Sequence, residues 1–205
     1  MARFLDLACA PATCRCVNAA DRGSATRLLY GSRAFIGRAL PGVHDVRAPG
    51  RVHALGSFRD PALRDALASS LPAPLAVALR DTFEWYACRG AFFHTDAHYG
   101  EVLIGAWHVA GPARELVFSR AGARLPLAPG TWVVFDPFEP HAVLDPGAST
   151  YARERYEGAP VSVFVGFELE LSASVREAFG VGAAALGAPP LSSQVPVNPE
   201  TGAIR

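Results

Sequence analysis

From about residue 85 onward the apolar positions fall in short runs: Ala91–Asp96, Val102–Val109, Glu115–Phe118, Thr131–Phe135, Ala142–Leu144 and Val161–Leu169. Each is rich in Val, Phe, Trp or Leu and bounded by Gly, Pro or Asp, which predicts a β-strand in every case. Ahead of them the pattern changes. Asp60-Pro61 supplies a cap and a first-turn proline, and ALRDALASSL then sets Leu63, Ala66, Leu67 and Leu71 near one helical face. Pro72 and Pro74 end that helix, and LAVALRDTFEW predicts a second one with Leu75, Leu79 and Phe83 as its apolar stripe. Residues 1–58 read as irregular, with short strands over Thr26–Tyr30 and Arg33–Ile36. From Gly180 the chain is rich in Ala, Gly and Pro, which predicts a segment extended over the surface or partly disordered. The expectation is one domain over 1–180, with a helical or irregular N-terminal layer (1–84) and a β core (85–170), followed by an extended tail over 181–205.

Composition agrees with one domain and removes several classes. The chain has 205 residues, 50% hydrophobic and 19% charged, enough for a sizeable core. Basic and acidic residues balance at 19 each, so no bulk field attracts nucleic acid or a membrane surface. There is no lysine, so any carboxylate-binding cation here is a guanidinium, suited to bidentate pairing. No apolar run is long enough to span a bilayer, and the opening MARFLDLACAPATCRC lacks a signal-peptide core, so a cytoplasmic location is expected. Cys9, Cys14 and Cys16 lack the paired CxxC spacing of structural zinc sites, and with Cys88 they read as reduced thiols.

The candidate chemistry lies in His94-Thr95-Asp96 and in His141. Strand residues i and i+2 share a face, so His94 and Asp96 would stand side by side. A histidine from a distant strand completes two nitrogens and one oxygen, the facial set of non-haem iron(II) oxygenases. His141 follows a turn stiffened by Pro137 and Pro140 and opens a short apolar strand, a placement that aims its imidazole inward. His98 shares the parity of His94 and Asp96, while Trp107 and His108 sit on opposite faces of one strand, so one of them can look into a barrel.

The HTD motif and the run PGTWVVFDPFEPHAV together resemble the iron(II)- and 2-oxoglutarate-dependent dioxygenase superfamily, over roughly residues 85–170. The resemblance implies a double-stranded β-helix, or jelly roll, with N-terminal helices packed on one sheet. It implies His94, Asp96 and His141 as ligands to Fe(II), and 2-oxoglutarate and O2 as co-substrates. It further implies a basic residue after the distal histidine that pairs with the co-substrate's far carboxylate. Arg155 is preferred for that role because Arg155-Tyr156 resembles the usual pair, with Arg153 next; Arg114, Arg120 or Arg124 would serve in branches that anchor it from an earlier strand. Tyr86 and Arg89 stand where related enzymes supply a hydroxyl or cation.

The implied reaction is hydroxylation of a small-molecule, amino-acid or peptide substrate, with no nucleic-acid or membrane partner. The oligomeric state is open. Two alternatives remain. The same run resembles the second cupin motif, with Glu101 as the glutamate a cupin would place after its first ligand pair, and a cupin would not need 2-oxoglutarate. A metal-free jelly roll that binds a small molecule or partner is the other.

Overall fold

The computed structural model describes residues 1–7, 25, 27–35, 39–43, 46, 48–96, 99–182 and 196–204. Cys9, Cys14, Cys16 and His98 lie outside these. Among the described residues eleven strands run in the order β1 (Arg3–Asp6), β2 (Arg27–Ser32), β3 (His53–Arg59), β4 (Leu79–Cys88), β5 (Ala91–His94), β6 (Val102–Ala110), β7 (Arg114–Phe118), β8 (Ala123–Leu127), β9 (Thr131–Phe135), β10 (His141–Leu144) and β11 (Ser162–Glu170). They form two antiparallel sheets: seven strands ordered β1-β2-β9-β6-β11-β4-β3, and four ordered β5-β10-β7-β8. This is a mainly β jelly roll, as expected. No described helix is long and apolar enough to cross a membrane.

Strand alternation sorts the apolar residues of the large sheet into two cores. Phe83, Trp85, Leu103, Trp107, Val165 and Phe167 face outward and pack under Leu63, Leu67, Leu71 and Leu75 of the helical layer. Cys88, Val133, Phe135 and Phe164 face inward and meet Leu116, Phe118, Leu125, Leu127 and Val143 of the small sheet. A third cluster, Phe93, Val117, Ala142, Leu144, Tyr151 and Tyr156, covers the outer face of the small sheet.

Helix α1 (Pro61–Ala68) is capped as its sequence predicts, the Asp60 carboxylate accepting from the Leu63 N–H at 3.0 Å. The second expected helix is corrected. Helix α2 covers only Ala73–Ala78, and from Leu79 the chain is strand β4. Leu75, Leu79 and Phe83 fit a helical stripe. From Phe83 to Ala87, however, the odd positions also fit a strand buried on one face, and β4 is held between β11 and β3. Strands β1, β3 and β8 and helix α3 (Ala173–Phe179) also appear where none was predicted, and Arg33–Phe35 lies in no regular element.

Residues 196–204 are docked. Val197 and Ile204 form an isolated bridge, and the turn between them bonds to the chain at Phe93, Ser119 and Tyr151.

Candidate metal centre

His94 ends β5 and His141 opens β10, and the antiparallel register sets the two directly opposite one another. The register then slips. Val143 pairs with Ala91, so β5 carries one extra residue between its two contacts. Such a bulge lets both Ala91 and His94 face inward while Phe93 turns out into the third cluster. This explains why Phe92-Phe93 breaks the alternation of the motif. The strand itself ends at His94, earlier than predicted, and Asp96 is brought in by the following turn, its N–H donating to the Pro137 carbonyl at 2.8 Å.

The three side chains converge. One ligand atom from each of His94, Asp96 and His141 lies within 4.8 Å of the others, a candidate metal-binding triad. The His94 and His141 rings are 4.5 Å apart, and their Nε2 atoms stand 3.9 and 3.6 Å from the two oxygens of Asp96. His94 Nδ1 is 2.7 Å from the Phe92 carbonyl, and His141 Nδ1 is 2.8 Å from the Glu139 carbonyl. A carbonyl only accepts, so each Nδ1 carries the proton and each Nε2 of the neutral ring offers a lone pair. Burial first, and then His141 alongside, lower His94 to about 4, so its ring is neutral near pH 7. Two imidazoles, each held by a backbone carbonyl behind it, and one carboxylate fit a divalent transition metal.

The Pro-rich turn between β9 and β10 is built to hold His141. Asp136 is fully buried and accepts from the Phe138 N–H at 2.9 Å and the Ala25 N–H at 2.6 Å. Glu139, also fully buried, takes a bidentate ion pair from Arg120. Phe135 stands edge-on to the His141 ring at 4.7 Å. Sequence reading did not single out the Glu139 pair, although a glutamate between two prolines in an apolar run is an unusual placement for a solvated charge.

The triad lies on the wall of a cavity of about 220 Å³ whose other sides include Cys88, Leu116, Leu127, Phe135, Val143 and Phe164. Among the described residues, Tyr86 and Tyr99 are the remaining polar groups on it. Burial pushes the Cys88 thiol up to about 12 and raises the Tyr86 phenol, so both remain protonated.

No family model and no curated protein matches this chain. Among solved structures it is similar to a cupin 2 conserved barrel domain protein from Salinispora arenicola, at 18% identity and a TM-score of 0.31 over 72% of this chain and 98% of that one. It is also similar to a Pseudomonas putida prolyl-4-hydroxylase, at 16% identity and a TM-score of 0.37 over 63% of this chain and 76% of that one.

Of the other predicted site residues that the structure describes, Tyr86 alone lines the triad's cavity. Arg153 and Arg155 form an exposed 3₁₀ turn, with Arg153 facing Glu157 at 3.4 Å, and neither reaches the cavity. Their expected place opening the last strand is taken by Ser162, because YEGAP separates them from β11. Arg120 is held by Glu139, and Arg124 by Glu115 and the Ala148 carbonyl. Arg89 ties the Val46 and Ala159 carbonyls together outside the cavity. Trp107 packs under the helices, its Nε1–H donating to the Arg33 carbonyl. His108 points the other way, stacked on Phe164 with both nitrogens facing carbonyls, and does not line the cavity. Glu101 is exposed and stands outside the triad.

Proposed function

We propose that the protein is a non-haem iron(II) oxygenase, its metal held by His94, Asp96 and His141, that couples oxidative decarboxylation of 2-oxoglutarate to hydroxylation of a small-molecule, amino-acid or peptide substrate. The observation that carries this reading is the triad's own arrangement. Two imidazoles turn their Nε2 atoms toward one carboxylate at the edge of a largely apolar cavity. Iron(II) in such a donor set supplies dioxygen activation and keeps coordination positions for other ligands.

The chain's own residues do the rest. Phe92 and Glu139 fix the imidazole tautomers through their carbonyls, and Pro137 orients Asp96 through its carbonyl. The apolar walls keep water from the reacting groups. For the co-substrate's far carboxylate, Arg114 is the arginine best suited. It is buried on β7 two positions from the cavity-lining Leu116, and its Nε lies 3.4 Å from the Ser162 hydroxyl.

A second reading, a cupin-type metal enzyme that works without 2-oxoglutarate, is favoured by one observation. No arginine among the described residues lines the cavity, and the Arg114 guanidinium already bonds Asp145 and the Pro160 carbonyl. Anaerobic titration of the iron(II)-loaded protein with 2-oxoglutarate separates the two. A weak visible charge-transfer band that is absent in Asp96→Ala supports the oxygenase. Iron uptake with no band gives the cupin reading the lead, and failure of iron to bind overturns both.

A further inference from the structure

The triad's cavity has a neighbour. A second cavity of about 360 Å³ shares Tyr86, Tyr99 and Ile104 with it and is otherwise walled by Ser57, Arg80, Thr82, Phe83, Glu84, Gly166, Phe167 and Glu168. The two differ in chemistry. The first is apolar apart from the triad, Cys88 and the two tyrosines, whereas the second holds two carboxylates and one guanidinium.

The guanidinium is already compensated. Arg80 lies 2.5 Å from Glu168 and 3.5 Å from Glu170. Glu84 is different. It is half-buried, and its partner among the described residues is the Tyr86 hydroxyl, which donates to it at 2.7 Å. Tyr86 can lie across the sheet in this way because Gly166 has no side chain: a Cβ there would strike the Tyr86 ring. Tyr86 therefore reaches from the triad's cavity to Glu84, and its own hydroxyl lies 3.4 Å from that of Tyr99.

We propose that the two cavities are the two halves of one substrate channel and that its outer half selects a cationic amphipath, an amine whose ammonium sits against Glu84 while its hydrocarbon passes the tyrosines toward the triad. An ammonium has three donors and no acceptor, which suits a carboxylate that otherwise takes a single phenol proton. A carboxylate ligand in the same place meets Glu84 and Glu168 and is repelled. A neutral alcohol forgoes the charge-assisted bond. Ile104, shared by the two cavities, offers the apolar wall along which a hydrocarbon stem passes. The direction of the channel rests on the triad being its working end.

The test is calorimetric titration, under anaerobic conditions and with iron content measured in parallel, of the iron(II)-loaded chain and its Glu84→Gln variant. Hexylamine, hexanol and hexanoate are the three probes. We expect hexylamine to bind about tenfold or more tightly than hexanol, with hexanoate weakest. Glu84→Gln should erase that advantage while iron stays stoichiometric and the melting temperature is kept. Equal affinity for the three, no binding of any of them, or an amine preference that survives in Glu84→Gln overturns the proposal. An amine preference in protein that takes up no iron overturns the metal reading and leaves the amine site standing; stoichiometric iron without that preference does the reverse.

Discussion

His94 and His141 each give one ring nitrogen to a backbone carbonyl two residues earlier in the chain, and this decides what the other nitrogen can do. For His94 the consequence can be read in solution. The unfolded chain protonates this ring near pH 6.5, whereas burial and the neighbouring His141 hold it down to about 4 in the fold. Between those values the unfolded chain binds the extra proton, so stability falls as the pH drops through the window and is unaffected by this group above it. We expect metal-free protein to lose on the order of 2–3 kcal/mol from this source between pH 6.5 and 4. Urea unfolding at a series of pH values measures it, as the difference between the native chain and His94→Asn. Parallel profiles for the two would show that His94 is not held neutral by the fold. Glu139 makes a second expectation. Its side chain is fully buried and that of Arg120 is 5% exposed, so Glu139→Ala takes the paired carboxylate away from a buried guanidinium. The cost should be about 3–5 kcal/mol in urea unfolding, and replacing both partners by methionine should restore most of it. A loss below about 1 kcal/mol would mean that the Arg120 charge finds water.

At the scale of the element, the triad depends on an edge strand. β5 has β10 on one side, and its other edge is covered by Gly50, whose carbonyl accepts from the Phe92 N–H at 3.0 Å, and by Pro199, which accepts from the Phe93 N–H at 2.9 Å. The Pro199 segment is strapped down by the Tyr151 N–H to the Glu200 carbonyl and by the Ser119 hydroxyl to the Gly202 carbonyl, both at 2.9 Å. Gly202 sits at φ +72 where a Cβ would strike Ser119 and Phe93, so glycine allows the close approach. A bulged edge strand held by so few bonds has little else to keep its register. Truncation before Pro196 should weaken iron binding several-fold and lower the melting temperature while leaving the β-sheet circular-dichroism signal in place. Unchanged iron affinity would show that β10 and Gly50 hold β5 by themselves.

Over the whole molecule, the ligands come from the end of β5, the turn after it and the start of β10, so a bound ion ties distant parts of the chain together. A ligand that binds the fold and not the unfolded chain stabilises by mass action, about 2.7 kcal/mol at a hundredfold excess over its Kd. For a domain of this size that is a rise of about 5–10 °C in Tm on adding iron(II), and Asp96→Ala should show none. Equal Tm with and without iron in the native chain would remove the triad as a metal site.

The β-rich second half, the capped first helix and the three triad residues were legible in the sequence, because each rests on local signals: short apolar runs between turn formers, Asp60 before Pro61, and a short polar motif beside aromatic residues. The extent of α2 was not, since Leu75, Leu79 and Phe83 satisfy two periods and only pairing with β11 and β3 makes residues from Leu79 a strand. Nor were the partners of the arginines. Arg155 follows the triad at a suggestive distance along the chain, but an intervening YEGAP leaves it on the surface, while Arg114, far earlier, is buried between the sheets. The chain by itself determined which side chains are candidates to bind a metal and that six segments of the second half become strands, because both follow from residue type and near-neighbour spacing. Only the tertiary structure decided that a bulge turns His94 inward, that Glu139 and Arg120 neutralise each other, and that Glu84 faces a cavity whose guanidinium, Arg80, is taken by Glu168 and Glu170. Those outcomes depend on which distant strands pair, and no local pattern carries that.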